Sequence, residues 1–192
     1  MIKMKKVMFV MLLTMLGMVI TSNVSNGQSW KINYSTDEFG DTTNESYVVS
    51  IQYGNFSNSA TNHSKLDVVV FLNNDDNSDT NTKDYLKIFE YGDYPADFDY
   101  NTIKLKIKDD AGNVYQINAT VFRKYVFIDD KIQFRKLLQN NSKLKCYFSD
   151  KDEYSPSYYH FVIDTDNFNE IYNEWQGSNN STNSNKLNNT NN

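Results

Sequence analysis

The sequence predicts a mainly β protein: an antiparallel β-sandwich or flattened barrel with a short helix and a C-terminal capping helix. Three observations predict it. Eight or nine short stretches alternate apolar and polar residues with a period of two. Clusters of Asp, Asn, Ser and Gly separate them, supplying turn chemistry. Only near the end does the period change, where Phe168, Ile171, Tyr172 and Trp175 fall at i, i+3, i+4 and i+7 and make one apolar helical stripe.

The alternation begins at Trp30-Lys31-Ile32-Asn33-Tyr34. It returns over Ser46–Tyr53, where Tyr47, Val49, Ile51 and Tyr53 share a face. Leu66–Leu72 is apolar on both faces, the signature of a central strand. Tyr85–Tyr91 follows. Thr102–Lys108 alternates most cleanly, with Ile103, Leu105 and Ile107 directed inward and Lys104, Lys106 and Lys108 outward. Asp109-Asp110-Ala111-Gly112-Asn113 then predicts a hairpin, because glycine tolerates the positive φ that such turns need. Val114–Phe122 is the return strand, and Tyr125–Ile128 is another. From Asp130 to Trp175 the chain reads as a short helix, two half-buried strands and the closing helix. Asp164, Thr165 and Asp166 stand where side chains accept hydrogen bonds from a first helical turn.

Flanking segments set the domain limits. Lys3, Lys5 and Lys6 precede an uncharged run of fourteen residues, Val7–Ile20, and Ser25-Asn26-Gly27 places small residues before Gln28. That is the layout of a secretory signal peptide over residues 1–27, with cleavage before Gln28 and a periplasmic or secreted product. The run is short of the ~20 residues that span a bilayer, so no integral membrane segment is expected in the mature chain. Residues 28–176 form the expected single β-rich domain. Residues 177–192, nearly all Asn, Ser and Thr, are expected to be a disordered tail.

Charge and reactive residues narrow the chemistry. The net charge of −5 becomes −8 without the leader, which holds three lysines and no acid. Phosphate neutralisation needs the opposite sign, so nucleic acid is not an expected partner. Cys146 is the one cysteine and shares a face with Leu144 and Phe148, as a small buried hydrophobe does. His63 and His160 are the only histidines, and neither sits in a motif that orients a nucleophile. No catalytic residue is assigned. Zinc spacings are absent from the sequence. Asp75, Asn77, Asp79 and Asn81 alternate in one loop, the spacing that turns oxygens toward a calcium ion. The loop lacks the glycine and terminal glutamate of an EF-hand, so a solvated acidic loop without a cofactor is the simpler expectation.

One connection stands out. Tyr91, Asp93, Tyr94, Asp97, Phe98 and Tyr100 interleave aromatics with carboxylates between two strands. Sugar rings are held by such pairs of groups, and the same aromatics can instead fold back over the end of the sandwich.

The order of pieces also carries a resemblance. Trp30 opens a strand, Asp37-Glu38-Phe39-Gly40-Asp41 follows, and Gly54-Asn55-Phe56-Ser57-Asn58-Ser59-Ala60 precedes the strand Lys65–Leu72. The chain then runs through Phe134, Leu137 and Leu138 to Phe161-Val162-Ile163-Asp164, Phe168 and Tyr172. This resembles the exported β-sandwich modules of the invasion-associated locus B and type VI secretion-associated VasI type. The long Asn73–Lys83 insert and the lack of paired cysteines depart from them. The resemblance implies a fold and no agreed activity.

The expectation is therefore an exported envelope or secreted protein that serves as a binding or structural module for a protein or glycan partner. One alternative is a glycan-binding module using Tyr91–Tyr100. Another is a hydrolase with paired carboxylates drawn from Asp93, Asp97, Asp99, Asp129 and Asp130.

Overall fold

The computed structural model describes residues 29–74, 83–150 and 155–189, with side chains as far as Ser178. The elements in chain order are β1 (Lys31–Thr36), β2 (Thr42–Ser57), β3 (Ser64–Asn73), β4 (Tyr85–Glu90), β5 (Tyr94–Pro95), β6 (Phe98–Lys108), β7 (Val114–Arg123) and β8 (Tyr125–Ile128). After them come α1 (Lys131–Asn140), β9 (Lys143–Asp150), β10 (Ser157–Asp164) and α2 (Phe168–Asn189). The leader over residues 1–27 and the proposed calcium ligands Asp75, Asn77, Asp79 and Asn81 lie outside the described residues.

The strands close on themselves. The order β2-β10-β9-β6-β7-β8-β4-β3 returns to β2 through the β2–β3 pairing, with β1 and β5 added outside this circuit. The result is an eight-stranded antiparallel barrel. Of the two architectures the sequence allows, the barrel is formed and the sandwich is not. The reason lies in the 16 residues of β2. Its Tyr47–Phe56 segment pairs with β3 along one edge. Along the other edge, Thr42–Val49 takes β1 and Tyr53–Ser57 takes β10. One long strand therefore joins both ends of the sheet, and closure leaves no free edge along most of the wall.

Alternation then divides inside from outside. Ile103, Leu105 and Ile107 of β6 are buried while Lys104, Lys106 and Lys108 are exposed, as their spacing predicts. On β2 the pattern is inverted. Ser46, Val48, Ser50, Gln52 and Phe56 are buried, while on the opposite face Tyr47, Ile51 and Tyr53 are half-buried and Val49 alone is buried. The polar members are satisfied inside: Gln52 Oε1 accepts from Asp164 N at 3.0 Å, and its Nε2 donates to Ser50 Oγ at 2.7 Å. At Gly54 the wall is tightest. A Cβ there would stand 2.1 Å from the His160 carbonyl oxygen, so β2 and β10 meet only because the side chain is missing.

The helices close one end. Asp130 accepts a hydrogen bond from Gln133 N at 2.9 Å and starts α1, which lays Phe134, Leu137 and Leu138 into the mouth of the barrel. Arg135 is buried with them. Its Nε and Nη2 each donate to a carboxylate oxygen of Asp84 at 2.7 Å, and Nη2 also donates to the Asn73 carbonyl. From α2, Phe168 and Trp175 are fully buried, and Ile171 and Tyr172 pack against the core, so the helical stripe seals the barrel as its spacing predicts. The Trp175 ring lies 5.7 Å from the Arg135 guanidinium, and its indole N–H donates to Ser46 Oγ at 3.0 Å. The expected capping differs. Asp164 Oδ1 accepts from Asp166 N, Thr165 Oγ1 donates to the Asn141 carbonyl, and Phe168 N is taken by the Thr165 backbone carbonyl. The backbone of α2 continues to Asn189, past Gly177, where the composition led us to expect a disordered tail.

Aromatic rings close the other end. Phe98 meets Phe148 edge-on at 6.0 Å, Phe148 stacks on Tyr159 at 4.6 Å, and Phe56 lies 5.0 Å from Tyr91.

Asp84→Ala leaves the Arg135 charge buried without its carboxylate. Such a loss costs about 3–5 kcal/mol, comparable to the ~3–5 kcal/mol of Trp175→Ala. Urea denaturation of each variant is expected to show a midpoint far below that of the native chain.

Candidate functional site

The ladder between β6 and β9 is short for strands of 11 and 8 residues. These strands pair only where Lys106, Ile107 and Lys108 face Tyr147, Cys146 and Lys145. Carried further, the register would set Lys104 against Ser149, yet the strands part before that point. Two features part them. A register shift between Phe98 and Asn101 bends β6, as a bulge does. Behind the opening, the rings of Phe98, Phe148 and Tyr159 fill the interior and hold the strands apart.

A groove of about 570 Å³ results, within the roughly 300–1,000 Å³ typical of small-ligand sites. Asn101, Thr102, Lys104 and Lys106 line it from β6, Tyr147 and Ser149 from β9, and Tyr158 from β10. For Thr102, Lys104, Lys106, Tyr147, Ser149 and Tyr158 the outward direction follows from the pleat, since every second residue of each strand faces away from the core. Asn101, of opposite parity, is exposed next to the register shift. Tyr158 is 41% exposed, and Tyr100, beside Asn101, is 75% exposed. Lys106 stands over the Tyr147 ring at 5.7 Å, and His160 lies 4.7 Å from the same ring. Burial, together with the nearby His63, lowers the His160 pKa, which favours a neutral imidazole. Aromatic rings, an amide, two hydroxyls and two ammonium groups thus surround one opening. No general acid–base pair is among them.

The residues singled out from the sequence do not converge there. Phe98 is buried in the core, Tyr91 turns its ring onto Phe56, and Tyr94 is exposed on β5 opposite Glu90. Tyr91 occupies positive φ and leads into Gly92, so the connection is a tight turn rather than an open loop. Asp93 is exposed in that turn. Asp97 lines a separate opening of about 380 Å³ with Pro95, Arg123 and Tyr125. Only Tyr100 adjoins the groove. Among the candidate acids, Asp129 is paired with Lys83 at 2.7 Å and Asp130 caps α1.

A second aromatic surface lies on the opposite wall. Tyr47, Phe71, Tyr85, Tyr125 and Phe127 form a ladder across β2, β3, β4 and β8. Phe71 and Tyr85 stack at 4.8 Å, and Lys87 stands over Phe71 and Tyr125. Burial, with Tyr125 and Tyr47 nearby, pushes the Tyr85 pKa up to about 12. These ring faces are taken up by one another and by Lys87.

Sequence reasoning missed Thr102, Lys104, Lys106, Tyr147, Ser149 and Tyr158 as a group. The lysines read as a solvated strand face, and nothing in the alternation marks where two strands separate. Among the described residues there is no group of three or more His, Cys, Asp or Glu side chains that would hold a metal ion, and no helix is long and apolar enough to cross a membrane.

A scan against protein-family models, a search of curated proteins and a search of solved structures each return no match. The resemblance to invasion-associated locus B and VasI modules rests on the sequence motifs alone.

Cys146 is 3% exposed, and burial pushes its thiol well above the ordinary range. A thiol-specific reagent added to the native protein at neutral pH is expected to label it negligibly within an hour-scale assay, and fully in denaturant. Rapid labelling of the native state would contradict this burial.

Proposed function

We propose that the protein is an exported, non-catalytic binding module that holds a glycan in the groove between β6 and β9. The parting of those two strands carries the reading. β6 and β9 pair over three positions only, and beside that short ladder aromatic, amide and hydroxyl groups line one groove. Sugars present apolar C–H faces and a rim of hydroxyls. Tyr158 suits the first, while Asn101, Thr102 and Ser149 suit the second.

The site therefore differs from the Tyr91–Tyr100 connection that the sequence offered as an alternative glycan loop. That connection supports the barrel end, and Tyr100 alone extends toward the groove. Export is supported by the basic start, short apolar run and small residues of the leader. An apolar interior with lysines on the outer face of β6 is the reverse of a lipid-embedded barrel, whose outer band is apolar.

The mature chain starting at Gln28 is expected to be retained on immobilised polysaccharide without releasing sugar. Tyr158→Ala should weaken retention roughly tenfold, about 1.4 kcal/mol, with little change in melting temperature. Equal retention of variant and native protein would remove the groove from consideration. Sugar release would replace the binding module with a hydrolase.

A further inference from the structure

We infer that the glycan is a linear acidic polysaccharide, read by a row of lysines that runs from the groove along the outer faces of β6 and β9. This inference rests on the groove as a glycan site and adds the charge of its ligand. Lys104, Lys106 and Lys108 occupy successive outward positions of β6, and all three are exposed. At about 3.4 Å per residue their backbones span roughly 14 Å. One carboxylate or sulfate cannot meet all three, whereas a polymer bearing an acid on successive units can.

The row continues onto β9. Lys145 pairs directly with Lys108 across the strands, and like charges so placed repel. Among the described residues, none of Lys104, Lys106, Lys108 and Lys145 has a carboxylate partner. Three other lysines are paired with acids: Lys65 with Asp67, Lys83 with Asp129 and Lys143 with Asp164. A protein with 24 acidic against 19 basic residues thus gathers four lysines without acid partners on the adjoining outer faces of β6 and β9.

Position favours sugar over an acidic peptide. Lys104 and Lys106 share the groove with Tyr147 and Tyr158, so charge and aromatic surface act on the same ligand segment. Lys106 already lies over the Tyr147 ring, which leaves its ammonium at the groove wall. An extended acidic peptide would instead add to the β6 edge and use the backbone, leaving the tyrosines secondary.

Affinity electrophoresis of the mature protein through gels containing polygalacturonate, dextran sulfate, dextran or polyglutamate tests this. The expected result is retardation by polygalacturonate or dextran sulfate but not by dextran, and the pair tells carboxylate from sulfate. Affinity should fall about tenfold between roughly 0.05 and 0.5 M salt. The double variant Lys104→Gln, Lys106→Gln should lose affinity at least tenfold and much of that salt dependence. Lys136→Gln, on the exposed side of α1, should behave as the native chain. Equal retardation by dextran, unaffected by the double variant, overturns the acidic ligand and leaves the glycan module standing. Binding to polyglutamate as tight as to polygalacturonate, with Tyr158→Ala without effect, makes the ligand an acidic peptide and overturns both. Retardation by none of the four polymers also overturns both.

Discussion

Barrel closure depends on how β2 manages an edge shared by two partners. β1 and β10 occupy that edge one after the other, and between them β2 needs another source of hydrogen bonds. Gln52 supplies it. Its side-chain amide bonds both the N–H and the carbonyl of Asp164, doing with a side chain what a neighbouring strand would do with its backbone. The Trp30 indole donates to the same carbonyl at 2.8 Å, and Asn167 bonds both the N–H and the carbonyl of Trp30. The entry to β1, the exit of β10 and the start of α2 are thereby tied at one buried junction. A buried amide with its hydrogen bonds made is tolerable; the same amide without partners would cost about 1–3 kcal/mol.

Much of the architecture was legible because local chemistry and tertiary position agree. The Ile103-Leu105-Ile107 alternation reports a barrel wall whose two sides see oil and water, and the Phe168–Trp175 stripe reports a helix that closes one end of the barrel. On β2 they disagree. Tyr47, Ile51 and Tyr53 look like core, but Ser50 and Gln52 have hydrogen-bonding work inside, so the larger side chains face outward. Arg135 and Asp84 are equally opaque in sequence. They are 51 residues apart, and each alone reads as a surface charge. A barrel rather than a sandwich follows from pairings that no short window contains.

The site was the least legible part for the same reason. Its residues come from three strands, and what unites them is the absence of pairing between two of these. Composition can nominate a segment such as Tyr91–Tyr100, where aromatics and acids are adjacent in the chain. It cannot show that Phe98 turns inward to hold β6 and β9 apart, so that a residue nominated for contact with a ligand shapes the opening from behind. Side chains on a stiff wall also lose less freedom on binding than those on a long loop, which suits a site of modest size.

The shared edge of β2 has a consequence for the order in which the molecule assembles. Gln52 and Asp164 are 112 residues apart, and the β2–β10 pairing has no local substitute. Hairpins such as β6–β7 need only a short turn to form. Closure must wait until nearly the whole chain is present and its two distant ends have met, a search whose entropy rises with the intervening length. Until then the β10-pairing edge of β2 and the far side of β9 remain open, and the sheet is an unrolled ribbon with its apolar face uncovered. The last strand is therefore the fastener of the first long one, and the time before it engages is when the chain is most exposed to pairing with another copy of itself.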